Sequence, residues 1–489
     1  MVGRQPRAQG VGVRDDQLIQ LCARHDGRLT AGADTAAPQT LEVPLYVNDA
    51  FLAYYNNPAR ARLRGLVRNP AIPADLLLQL VEEHLREVEA ALMFRPEWTD
   101  EQFEALVNHP DHKVRRLLAQ AVHVTPEQRA RLVEDPERSV LWALAEGPTS
   151  LLASRWTVTA ALPVWAYERL LERHPRLELV MVDSPWVPQE LRARLWPGES
   201  RTAPADEPPP DRRELEAQAS DDNDWVRSTA AADPDLRADL VARLAVDPSP
   251  RVRLVVSMRQ ELSEEQRAAI DYHVGRDDRI QPAVWATRTR DPEIQSRCVR
   301  SAHIGLRRSV ACNPHLTADH IAALENDDDF AVRLLLCERH SGVTHETVLN
   351  TYLEAATATR GRLLDHPSFQ RVGLAQLAES PDPWARALVV SDPEAAPQLI
   401  ERLSHDPRPE VRNSTAADPR LSPSRVLDLF EDPETAGAAA ANPHLPVPVM
   451  RGVLTDAATL ANGAVDGEPA VLLGRWSGRR RPSAGGDGL

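Results

Sequence analysis

Arginine is the side chain in this sequence whose type and spacing most invite a chemical reading. Arg307, Arg333, Arg360, Arg386 and Arg412 follow one another at steps of 26, 27, 26 and 26 residues, and Arg227 and Arg253 keep the step of 26. Arg115 takes the same position in a "VR" pair nearer the N-terminus. A planar guanidinium offers two parallel donors that fit a carboxylate or a phosphate, so an exposed strip of this kind would grip anionic groups. The competing use is internal. Asp247, Asp327, Asp406 and Asp432 open units with the same period, so the pattern itself supplies carboxylates. A structural ladder is therefore the favoured reading.

Tryptophan is the second signal. Trp142, Trp156, Trp165, Trp186 and Trp196 crowd one stretch of a chain with few aromatic residues. Large aromatic rings at such a place can form a binding hot spot, or they can fill a gap between poorly matched layers. Trp225 and Trp384 stand just before the "VR" slot, where other units carry Lys113, Arg251 or Glu410. A position that tolerates charge is expected to be exposed, which makes these two further candidates for partner contact.

Catalytic and metal-binding patterns are missing from the sequence. It has no glycine-rich phosphate loop, no His-Glu-x-x-His and no nucleophile elbow. His109 and His112 lie three apart and His340 and His345 five apart, each pair without further ligands at metal spacing. Cys22, Cys298, Cys312 and Cys337 lack the close pairing that zinc or an iron–sulfur cluster requires. No catalytic residue, cofactor or metal is expected.

The elements that would carry these residues are short helices in pairs. A proline falls seven residues after most of the ladder arginines, as in Arg227 to Pro234 and Arg386 to Pro393. Proline disfavours helical geometry in the residue before it and so stops the first helix. Pro250, Pro383 and Pro409 suit the first helical position, with Asp382 as a cap. Thr99/Gln102, Thr125/Gln128 and Ser263/Gln266 have capping-box spacing and start second helices. Helices of about nine residues do not persist alone in water and must pack on neighbours.

Between residues 70 and 443 the period leaves room for about fourteen units. The pattern "VRxxxAxxPxL" followed by "LxxLxxD" resembles the leucine-rich repeat variant and HEAT-like helical repeats. That resemblance implies an all-α, right-handed solenoid of stacked helix pairs, used mostly for holding protein partners. Some leucine-rich repeat variant proteins carry an N-terminal iron–sulfur module, but here that region offers only Cys22.

The period fails over 149–220, and a smaller irregularity lies between Gln260 and Pro292. The expected organisation is a disordered or loosely attached segment 1–45, a helical repeat segment 46–196, a proline-rich linker 197–213, a second helical repeat segment 214–460 and a flexible basic tail 461–489. The first residues contain no apolar signal core and no apolar run reaches membrane length, so a cytoplasmic protein without a membrane partner is expected.

A formal charge of −15 opposes nucleic acid as the main partner. The function that these features imply is a non-enzymatic scaffold or adaptor holding a protein along a concave surface. One alternative is a nucleic-acid enzyme, because HEAT-like folds include alkylpurine DNA glycosylases; it would need a positive groove. Another is a small-cofactor lyase or chaperone, which would need a deep aromatic pocket around Trp142 to Trp196.

Overall fold

The computed structural model describes residues 57–148, 156, 161–182, 184, 186–195, 212–276, 278–355 and 360–457. Expectations for 1–45, 461–489, Cys22 and Trp196 lie outside the described residues, as do those for most of 197–213. A helix, Arg212–Gln218, begins just inside the end of that last segment.

Among the described residues the regular elements are α-helices and 3-10 helices, with no strand. Local chemistry explains where they start. Helices Asp100–Val107, Pro126–Ala130 and Glu264–Ala268 each carry a complete capping box, from Thr99/Gln102, Thr125/Gln128 and Ser263/Gln266. Proline opens Pro250–Ser257, Pro383–Ala387 and Pro409–Ala416, where its missing N–H costs no hydrogen bond. Asp382 accepts from the Trp384 amide at 2.9 Å. The longest helix among the described residues, Ala74–Met93, bends at His84, whose φ of −135° and ψ of 29° are not helical.

The compact units do not follow the order of the sequence. One comprises 1–153, 159–188 and 371–489, the other 154–158 and 189–370. In the first, alternate helices pack on each other: Ala74–Met93 on His112–Gln120, His112–Gln120 on Arg138–Glu146, Pro383–Ala387 on Pro409–Ala416, and Pro409–Ala416 on Ala436–Ala440. The first described helix, Pro58–Arg68, then packs on Ala436–Ala440 and Val447–Ala457, which is why residues beyond 371 belong with the N-terminal part. That contact is close. A Cβ on Gly65 would lie 1.9 Å from the Gly437 carbonyl oxygen, so glycine is required there.

In the second unit Asp224–Ala232 packs on Pro250–Ser257, and Val284–Arg288 and Phe330–Arg339 both pack on Ile304–Ala311. Its cluster of Leu215, Ala230, Leu240, Leu244, Val252 and Val256 is built from small and medium aliphatic side chains. Each fully buried Leu or Val contributes about 1.5–3 kcal/mol.

Helix ends leave carbonyls without partners, and side chains from the following layer supply the missing donors. Asn442 Nδ2 donates to the Ala416 and Asp418 carbonyls at 2.9 and 2.8 Å. Asn69 makes the same pair of bonds to Ala440 and Asn442, at 3.0 and 2.6 Å. Asn313 bonds Ala286 and Thr289, and Arg259 bonds Ala231 and Asp233. Where the slot is Asp418, whose carboxylate cannot donate, Arg420 beside it reaches the Val390 and Asp392 carbonyls instead, each at 2.7 Å.

Candidate functional site

The arginine ladder is occupied internally. Arg115, Arg227, Arg307 and Arg386 each form a two-pronged bond with the Asp twenty residues on, their Nε donating to Asp135, Asp247, Asp327 and Asp406 at 2.7, 2.8, 2.7 and 2.7 Å. Their Nη1 atoms bond the carbonyls six residues back, at 2.6 Å to His109, 2.8 Å to Asp221, 3.1 Å to Ser301 and 2.8 Å to Ser380. The slot aspartates also connect successive layers. Asp247, Asp327 and Asp406 give their backbone carbonyls to Arg253, Arg333 and Arg412.

Further partners vary along the ladder. Arg253 reaches Asp271, Arg333 pairs with Glu354, and Arg412 pairs with Glu434. Arg360 departs from the pattern. It opens a 3-10 run, Arg360–Asp365, and its guanidinium lies 4.1 Å from the centre of the Tyr352 ring. Burial opposes ionisation of Asp247 and Asp406, yet the arginine bonds outweigh it and hold both carboxyls below their usual range.

The tryptophans divide into two kinds. Trp186 is internal in role: its Nε1 donates to the Pro148 carbonyl at 3.1 Å and its ring covers Gly147, whose φ of 82° and tight surroundings exclude a side chain. Trp156 donates to the Cys337 carbonyl at 3.2 Å and meets the His366 ring edge-on. Trp384, expected at the surface, is buried at 7 % exposure. The slot it shares is not uniform, since Lys113, Trp225 and Arg251 are exposed while Glu410 is buried. Trp142, Trp165 and Trp225 remain at the surface with 39, 56 and 56 % exposure, and the Arg251 guanidinium lies 5.2 Å from the Trp225 ring centre.

The histidine pairs act as local hydrogen-bond groups. His109 Nδ1 accepts from the Asp111 amide at 3.1 Å, His340 Nε2 bonds the Ala311 carbonyl at 2.9 Å, and His345 Nδ1 accepts from the Gln370 amide at 3.0 Å. Among the described residues no three His, Cys, Asp or Glu side chains come together as a metal site. Burial pushes the thiols of Cys298 and Cys337 up to about 11 and about 12, so neither is a thiolate at neutral pH.

A cleft of about 660 Å³ lies in the second unit, where the sequence period is disturbed between Gln260 and Pro292. The backbone explains it. After Glu264–Ala268 the chain runs without a helix until Val284–Arg288. Leu262, Ile294, Leu306 and Trp285 supply apolar walls, with Arg267, Arg297 and Arg300 among them. Trp285 is fixed by an Nε1 bond to the Met258 carbonyl at 3.0 Å. Sequence reasoning located the irregularity but did not name these residues.

Beside the cleft a serine and a histidine are in contact, Ser257 Oγ and His303 Nε2 being 2.8 Å apart. The arrangement is not that of a nucleophile and its base. The Ser257 hydroxyl donates to the Leu254 carbonyl at 2.7 Å, which leaves its oxygen to accept from His303. Both residues are fully buried, and the ring stacks on Tyr272 at 4.0 Å. Burial, with Arg267 adding to it, lowers the His303 imidazole to about 4.

No protein-family model, curated protein or solved structure matches this chain. No helix among the described residues is long and apolar enough to cross a membrane.

Proposed function

We propose that this chain is a non-enzymatic scaffold or adaptor of the leucine-rich repeat variant or HEAT-like kind, a right-handed α-solenoid that holds a protein partner along its concave surface. The packing of alternate helices, joined by recurring arginine–aspartate bonds, supports the repeat reading. The observation that carries the binding role is the exposure of Trp142, Trp165 and Trp225 in a chain that places most of its other large apolar side chains inside. Exposed tryptophans are costly to leave in water and are enriched where partners dock. Arg115, Arg227, Arg307 and Arg386 are committed to aspartates, and the net charge of −15 argues against nucleic acid as the main partner.

The test uses the full chain and its Trp165→Ala/Trp225→Ala variant as bait in native lysate, with and without nuclease. Discrete proteins that survive nuclease and fall at least tenfold with the variant are expected. Recovery that is abolished by nuclease, or that is equal for both baits, overturns the reading.

A further inference from the structure

The cleft beside Val284–Arg288 is locally cationic in an acidic protein. Arg267 is 4 % exposed, and its Nη1 donates to the Ser257 carbonyl at 2.6 Å. Its Nε has no hydrogen-bond acceptor, because Glu264 Oε1 approaches only to 3.4 Å and out of line. That nitrogen is sealed from solvent, so a ligand in the cleft would meet only the small exposed part of the guanidinium. Glu264 is already engaged, accepting from Ser301 Oγ at 2.9 Å and from the Ala302 amide at 3.1 Å.

Arg297 and Arg300 are exposed on the same lining, against one further carboxylate, Glu293. Arg297 repels Arg267, one of the influences that lower the Arg267 guanidinium after burial itself. An inorganic anion would answer the charge but leave Leu262, Ile294 and the Trp285 face wet. A ligand that joins carboxylates to an apolar side chain answers both.

We propose that this cleft binds a short acidic peptide segment, with its carboxylates on Arg267, Arg297 and Arg300 and one large apolar side chain against Trp285. The volume suits a few side chains, within the range of about 300–1,000 Å³ usual for ligand sites. Planar guanidinium groups recognise carboxylates through paired hydrogen bonds, and the apolar contact supplies the selectivity that charge alone lacks. The proposal rests on the reading of the chain as a protein-binding scaffold and adds the chemistry of the segment it holds.

The test is selection of a phage-displayed random dodecapeptide library on the full chain. The Arg297→Glu/Arg300→Glu and Trp165→Ala/Trp225→Ala chains are carried in parallel, each checked for native helical content by circular dichroism. Enriched peptides are expected to combine Asp or Glu with an aromatic or large aliphatic residue. They should bind the arginine variant at least tenfold more weakly, bind the tryptophan variant undiminished, and weaken as salt rises. Enrichment of neutral or basic peptides, equal binding to the arginine variant, or no enrichment over bare matrix overturns the assignment. Partner capture that responds to Trp165 and Trp225 while no acidic peptide is selected refutes the cleft assignment alone.

Discussion

The arginine–aspartate pair is the smallest unit on which the fold depends, and Arg386 is its clearest case. Its side chain bonds both oxygens of Asp406, at 2.7 and 2.9 Å, and the Ser380 carbonyl at 2.8 Å. Both partners are mostly buried, at 14 and 8 % side-chain exposure. Removing one member of such a pair strands the other, and the desolvation cost exceeds the value of the pair itself. Arg386→Ala is expected to lower stability by about 2–4 kcal/mol, read as a fall in the urea midpoint by circular dichroism. Arg386→Lys keeps the charge but loses the fork, and should fall between wild type and alanine. An unchanged midpoint for the alanine variant would show that the ladder is ornamental to stability.

At the scale of elements, two glycines in neighbouring helices make opposite predictions. Gly65 lies against Gly437, where an added methyl would sit 1.9 Å from a carbonyl oxygen and 2.9 Å from Ala440 Cβ. Gly65→Ala must therefore force Pro58–Arg68 away from Ala436–Ala440, at a cost of about 2 kcal/mol or more by the usual scale of overpacking. Gly452, inside Val447–Ala457, has nothing within 4 Å of its added methyl. There alanine should be neutral or stabilise by up to about 1 kcal/mol through helix propensity. Thermal melting of the two variants checks the pair, and equal shifts would contradict the close contact.

Helix starts are the part of this fold most legible in the sequence, because caps such as Thr99/Gln102 and prolines such as Pro250 act over four residues of chain. Less is legible where layers decide. Trp384 reads as exposed from its charged equivalents yet is buried by what packs on it. The 3-10 runs Arg360–Asp365 and Leu374–Glu379 replace helices without a local signal. The cleft joins Arg267, Trp285, Arg297 and Leu306; the break in spacing between Gln260 and Pro292 marks the place but not which residues meet there. The docking of Pro58–Arg68 on Ala436–Ala440 is equally invisible to a pattern read from one end to the other.

At the scale of the whole molecule, charge and burial predict how stability responds to acid. Two buried imidazoles are held neutral. His303 is lowered to about 4 by burial, and His366 is lowered by burial although its Nε2 bonds the His340 carbonyl at 2.9 Å. His366 Nδ1 accepts from the Ser368 amide at 3.1 Å, a bond that a proton on that nitrogen would abolish. Because the unfolded chain takes up these protons first, near pH 6.5, stability is full above that value and falls as pH drops toward 4. His303 alone accounts for no more than about 3 kcal/mol of that loss. Asp247, Asp329 and Asp406, held below their ordinary range against the effect of burial by arginine bonds, add a second loss below pH 4 as they take up protons. Net charge acts the other way. At −15 the chain repels itself at neutral pH, and approach to the isoelectric point near 5.5 relieves that repulsion. The two effects separate by variant, since the repulsion is common to wild type and His303→Gln while the imidazole is not. Urea midpoints from pH 8 to pH 3 should show the wild type losing stability relative to His303→Gln between pH 6.5 and 4, with parallel curves outside that window. Parallel curves throughout would mean that the His303 ring is protonated as readily in the folded chain as in the unfolded one, and that its stacking on Tyr272 does not exclude water.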